Sequence, residues 1–153
     1  MLCVSELQRG MVGKMGSEIG QILLLGVLGL GTYWDWKEKQ IYLYLPIFAG
    51  IVGIILHLVL GEHTWMDIAL GMAIGIVVLV ISWTSRESIG TGDGMMLIAS
   101  GAFLGGWGNL ELLMIALLLV GVTALFLIVA KRKGRKDRLP FIPFLLVAYL
   151  FLL

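Results

Sequence analysis

Long apolar runs, broken only by short polar turns, fill most of this chain and limit it to one class of fold. A helix needs about 20 mostly apolar residues to cross about 30 Å of hydrocarbon. Such runs lie at Ile19–Trp34, Ile41–Leu60, Trp65–Trp83, Met95–Trp107, Leu110–Ala130 and Phe141–Leu153. The fourth is short and glycine-rich, and the last is short as well. The expected architecture is an all-α membrane protein, a bundle of about six transmembrane helices. Residues 1–153 read as a single polytopic domain in which 1–18 form a polar N-terminal segment. Nothing before Ile19 reads as a cleavable signal peptide, because the apolar run comes late and continues into a full span.

Composition agrees. Hydrophobic residues make up 59% and charged residues 14%, against roughly 45–50% and about 25% in soluble domains. An ordinary cytosolic domain and a disordered chain are both excluded, and the lipid bilayer is the implied surrounding. The net charge of +1 gives no electrostatic footprint for nucleic acid. Cys3 is the only cysteine, so no internal disulfide or cysteine-built zinc site is expected, and no metal ligand set stands out.

Charge decides sidedness. Lys37 and Lys39, Arg86, and the six basic residues of Lys131–Arg138 occupy the first, third and fifth connections. The second and fourth, Gly61–Thr64 and Gly108–Asn109, carry no Lys or Arg. The basic connections share one face, which the positive-inside rule makes cytoplasmic. Lys131–Arg138 is read as a topology anchor on lipid headgroups. Trp34, Trp36, Trp65, Trp83 and Trp107 fall near span ends, as an aromatic belt requires. Thr64 to Asp67 resembles a capping box for the third helix. Asn109 is expected to cap the fifth, with Glu111 in its first turn. Glycine pairs at Gly16/Gly20, Gly71/Gly75 and Gly101/Gly105 allow close helix approach. Packing within one bundle is the favoured use of these pairs, and a homodimer interface is the alternative.

Ionisable residues beside hydrocarbon are costly and mark function. Asp35 ends the first span and Asp93 opens the fourth, so two helices separate them and both lie on the cytoplasmic face. Two carboxylates in one site do not ionise together; one keeps a proton while the other acts as a base. That pairing suits hydrolysis of a peptide bond, with one group activating water and the other protonating the leaving amine. Each also has a structural reading, Asp93 as a helix N-cap and Asp35 as an interfacial polar residue. By the helix dipole, Asp93 at an N-terminus would be the base and Asp35 at a C-terminus the acid. His57 lies mid-span and reads as a packing histidine, and His63 as an exposed loop residue.

These residues carry a resemblance. Asp35 with its short basic loop and Ile41, Gly90-Thr91-Gly92-Asp93 with Leu97 and Gly101–Gly105, and Leu139-Pro140-Phe141-Ile142-Pro143-Phe144 resemble three blocks of the type IV prepilin peptidase family. These are polytopic aspartyl proteases with a G-x-G-D motif. The likeness covers about Gly20 to Leu153. It implies Asp35 and Asp93 as the catalytic pair and Gly90, Gly92 and Met95 as substrate-contacting positions, the glycines because they allow close backbone approach. It implies cleavage of the leader of prepilins or pseudopilins at the cytoplasmic face of the cell membrane, without a metal or cofactor. Two positions depart from the pattern: Tyr42 stands where many members have Pro, and Met95 where many have Lys. The larger members carry a paired-cysteine zinc insert and methylate the new N-terminus. This chain has only Cys3, which makes it resemble a small peptidase form without the methyltransferase insert. Two other readings stay open, a non-enzymatic pilin-binding assembly protein and a small proton-coupled transporter. A signal-peptide-peptidase-type protease is disfavoured by the Pro-Phe-x-Pro-Phe block.

Overall fold

The computed structural model describes residues 2–38, 43–60, 64–84, 91–130 and 141–153, with the side chains of the first helix described from Gly16 to Lys37. Tyr42, His63, Gly90, Lys131–Arg138 and the Leu139-Pro140 step of the last block lie outside them. Among the described residues, all regular structure is helical: α1 (Leu2–Glu38), α2 (Tyr44–Leu60), α3 (Trp65–Thr84), α4 (Thr91–Val129) and α5 (Ile142–Leu152).

The all-α expectation holds, but α4 corrects its details. The fourth and fifth apolar runs form two helical segments that join at Gly105 rather than at Gly108–Asn109. Gly105 has φ 69° and ψ −170°, a region that only glycine enters freely. The break is a reversal. On a straight helix Leu97 and Asn109 would stand about 18 Å apart, yet Asn109 Nδ2 donates to the Leu97 carbonyl at 3.0 Å. Residues 106–129 therefore fold back along residues 91–104.

Helix direction follows from pairs of touching residues. Gly71 lies against Gly101 and Gly105, Gly75 against Ile98, and Leu79 against Gly94, so α3 runs antiparallel to the first half of α4. Gly50 meets Ala99 and Gly53 meets Ala102, so α2 runs parallel to it. Gly20 near Phe103 and Gly31 near Met96 make α1 antiparallel to α4. Tyr149 Oη donates to the Gln21 carbonyl at 3.2 Å while Ile142 lies beside Gly31, which makes α5 antiparallel to α1.

The buried core joins α1, α4 and α5 through Leu24, Leu28, Leu97, Leu112, Leu145 and Tyr149. The outer faces are apolar too: Ile22, Phe48, Val77, Leu118 and Phe151 are all exposed. A water-soluble monomer rarely shows apolar surface on this scale. Helices α3 and α4 are long and apolar enough to cross a membrane, and α2 and α5 are apolar but shorter.

Candidate active site

The end of the bundle where α1 and α3 finish and α4 and α5 begin holds both expected acids. Asp35 lies just past the apolar run of α1, and Asp93 lies in the first turn of α4. Both are buried, at 9% and 8% exposure, where an ionisable side chain is rare unless it is held or used. Asp93 is inside the helix rather than its N-cap, because α4 starts at Thr91, earlier than its apolar run suggests.

The two helices meet one turn away. A Cβ on Gly31 would stand 2.7 Å from the Met96 methyl and 3.4 Å from Ile142 Cγ2. Gly31 is therefore where α1, α4 and α5 converge, and the missing side chain permits it. Asp35 follows Gly31 by four residues, and Asp93 precedes Met96 by three. Those spacings keep a side chain on the same helix face. Both carboxyl-bearing positions thus lie on facing sides of α1 and α4, about one turn beyond the contact, at the same end.

Asp35 is held by the third sequence block. The backbone N–H of Ile142, at the start of α5, hydrogen-bonds its carboxyl. Asp35 Oδ2 is buried and finds no hydrogen-bond partner among the described residues, so that bond falls on Oδ1. Burial raises the Asp35 carboxyl above its ordinary pKa, and the Ile142 N–H acts in the opposite direction, more weakly. Lys37, half a turn on, lies 5.8 Å from the Tyr33 ring centroid. Of the other positions singled out, Gly92 and Met95 are half-buried in the first turns of α4. Among the described residues, no group of three or more His, Cys, Asp or Glu could hold a metal ion.

A second set of polar residues works at the opposite end, away from the acids. Thr64 Oγ1 accepts from the Asp67 N–H at 3.3 Å, as the capping-box reading of α3 expects. Asp67 Oδ1 then accepts from the Gly106 N–H at 3.0 Å, capping the returning half of α4. Asn109, expected to be that cap, is instead fully buried. Its Nδ2 donates to the Gly71 carbonyl at 2.8 Å as well as to Leu97, and its Oδ1 accepts from Ser100 Oγ at 2.7 Å. Glu111 is exposed. His57 packs edge-on against Trp65, with centroids 5.1 Å apart.

Sequence reasoning missed Gly31, Met96 and the Ile142 N–H. Gly31 carried a usable signal, being a glycine one turn before an acid. A backbone donor on a distant helix carries none.

The comparisons with known proteins point the same way. A prepilin leader peptidase/N-methyltransferase of Xanthomonas campestris pv. campestris is 31% identical over 157 aligned residues, covering 97% of this chain and 53% of the relative. The chain thus spans about half the length of that curated relative. No solved structure is significantly similar. The profile of the type IV leader peptidase family matches residues 22–129. That stretch includes Asp35, Gly92, Asp93 and the glycine seam between α3 and α4, and the chain belongs to this family of proteases.

Proposed function

We propose that the chain is an aspartic endopeptidase that removes the leader peptide of type IV prepilin-like or pseudopilin proteins at the cytoplasmic face of the cell membrane. The observation that carries this reading is the pair of buried acids on facing sides of α1 and α4, at one end of the bundle. The chain enters and leaves that end through the stretches containing Lys37, Lys39, Arg86 and Lys131–Arg138, which favours the cytoplasm by the positive-inside rule. Six membrane crossings, with α4 contributing two, fit the directions of the helices.

In this mechanism Asp35 and Asp93 share one proton. The ionised partner, Asp93, takes a proton from water as that water attacks the scissile carbonyl. The protonated partner, Asp35, gives its proton to the leaving amine. The raised Asp35 carboxyl supports that division. Gly90 and Gly92 would let a substrate strand lie close to the backbone, with Met95 beside it. The substrate's own transmembrane helix would pack on the apolar outer faces. The proteolytic step is the reaction proposed.

The test is leader cleavage of a prepilin by purified protein in liposomes, beside Asp35→Asn and Asp93→Asn. Cleavage by the wild type, reduced at least about 1,000-fold in both folded variants, is expected for groups that act as a unit. A folded wild type that cuts no pilin leader would instead favour a pilin-binding assembly protein, with Met95 the first residue to restore to Lys. Acid-dependent proton flux across liposomes, without cleavage, would favour the transporter.

A further inference from the structure

We propose that the first turn of α5 is the positioning element of the active site, with the Ile142 N–H holding Asp35 Oδ1 so that Oδ2 is the oxygen presented to the reaction. The inference rests on the proteolytic reading above and adds a residue and an atom to it.

Three observations carry it. The Ile142 N–H hydrogen-bonds the Asp35 carboxyl. Ile142 is the first residue of α5, where backbone N–H groups have no partner within the helix. Pro143 follows and has no N–H at all, so no second donor from the next residue competes for the carboxyl. Meanwhile Oδ2 is buried without a hydrogen-bond partner among the described residues. A buried polar atom left in that state is destabilising, and its retention calls for a use.

The packing makes the arrangement stiff. Ile142 is fully buried, and its Cγ2 lies against Gly31, one turn before Asp35 on α1. Side chain and backbone of one residue thus set both the helix spacing and the carboxyl orientation. A carboxyl fixed through one oxygen cannot rotate freely about its last bond. Oδ2 then keeps one direction through the catalytic cycle, which preorganises proton transfer. Ile142 touches no substrate in this scheme and acts through Asp35.

The decisive experiment replaces Ile142 by its α-hydroxy analogue in the full-length protein. This ester substitution deletes the N–H and keeps the side chain. The ester is expected to lower kcat roughly 10- to 100-fold, as for loss of a hydrogen bond to a charged group, with KM unchanged within about twofold. The limb of the pH–rate profile set by Asp35 should move to higher pH, because the lost donor favoured the carboxylate. This direction is the same whether Asp35 is acid or base. The other titratable groups with described side chains at this end are Asp93 on α4, Tyr33 and Lys37 on α1, and Tyr44 on α2.

An ester variant with wild-type kcat and pH profile overturns the proposal. So does one whose only change is a lower Tm. A second readout uses the wild-type fold: the Ile142 amide proton, followed by NMR in nanodiscs, should shift as Asp35 titrates and lose that shift in Asp35→Asn. An Ile142 amide indifferent to Asp35 sinks the inference even if the ester does not fold. Failure of the proteolytic reading looks different, since the wild type itself would then not cleave.

Discussion

The two acids stand on two kinds of helix contact. Asp93 rides on the seam between α3 and α4, where backbone meets backbone. A Cβ on Gly71 would reach the carbonyl oxygens of Gly101 and Gly105 at 2.6 Å, and one on Gly94 would reach Leu79 Cα at 2.8 Å. Asp35 rides on the corner between α1, α4 and α5, where glycine faces the flexible end of Met96 and a methyl of Ile142. A seam of backbones cannot adjust without moving whole helices. A corner filled by a methionine can, because that side chain is unbranched and mobile. One acid is therefore set by rigid packing. The other needs a separate device to orient it, and the Ile142 N–H is placed to be that device.

The contrast is testable by making one chemical change in both regions. Gly71→Ala should destabilise the protein by about 3 kcal/mol or more, since overpacking against backbone leaves no rotamer to move. Gly31→Ala on α1, where the nearest atom is the Met96 methyl at 2.7 Å, should cost about 1 kcal/mol or less, because that side chain can turn aside. Unfolding in mixed micelles would measure both. Equal losses at the two sites would erase the distinction between seam and corner.

A smaller effect sharpens the description of the seam. Asn109→Ala removes the acceptor of Ser100 and a donor to Gly71 and Leu97. It should cost about 2–3 kcal/mol while leaving cleavage by the folded fraction intact, because these bonds lie at the end away from the acids. Lost activity without lost stability would mean that the two ends are coupled. Least of all, Tyr149→Phe breaks the bond to the Gln21 carbonyl between α5 and α1. A loss of about 1 kcal/mol or less is expected in the same unfolding assay.

The Gly105 reversal shows where reading the chain failed. The apolar runs on either side were visible, and so was a turn between them. The sequence pattern places that turn at Gly108–Asn109, because Asn is a good cap. The Gly105-Gly106 step is itself a turn signal, but Gly105 also belongs to the Gly101/Gly105 packing pair. It is both: Gly105 reverses the chain, and its carbonyl also touches Gly71. Asp67 then takes the capping task expected of Asn109. Asp67 caps α4 from α3, and Asn109 ties the hairpin from inside.

What sequence alone determined was the helical class, the apolar runs and the shared end of Asp35 and Asp93. Each depends on local composition or on counting helices, and all three survive without knowledge of neighbours. Tertiary structure alone decided which glycines touch backbone, which polar side chain caps which helix, and that Asp35 meets the start of α5. A short polar side chain near a helix end can satisfy its own backbone or a neighbour's at similar energy. The choice is made by which helix lies within about 3 Å of it, and that distance is a property of the packed bundle.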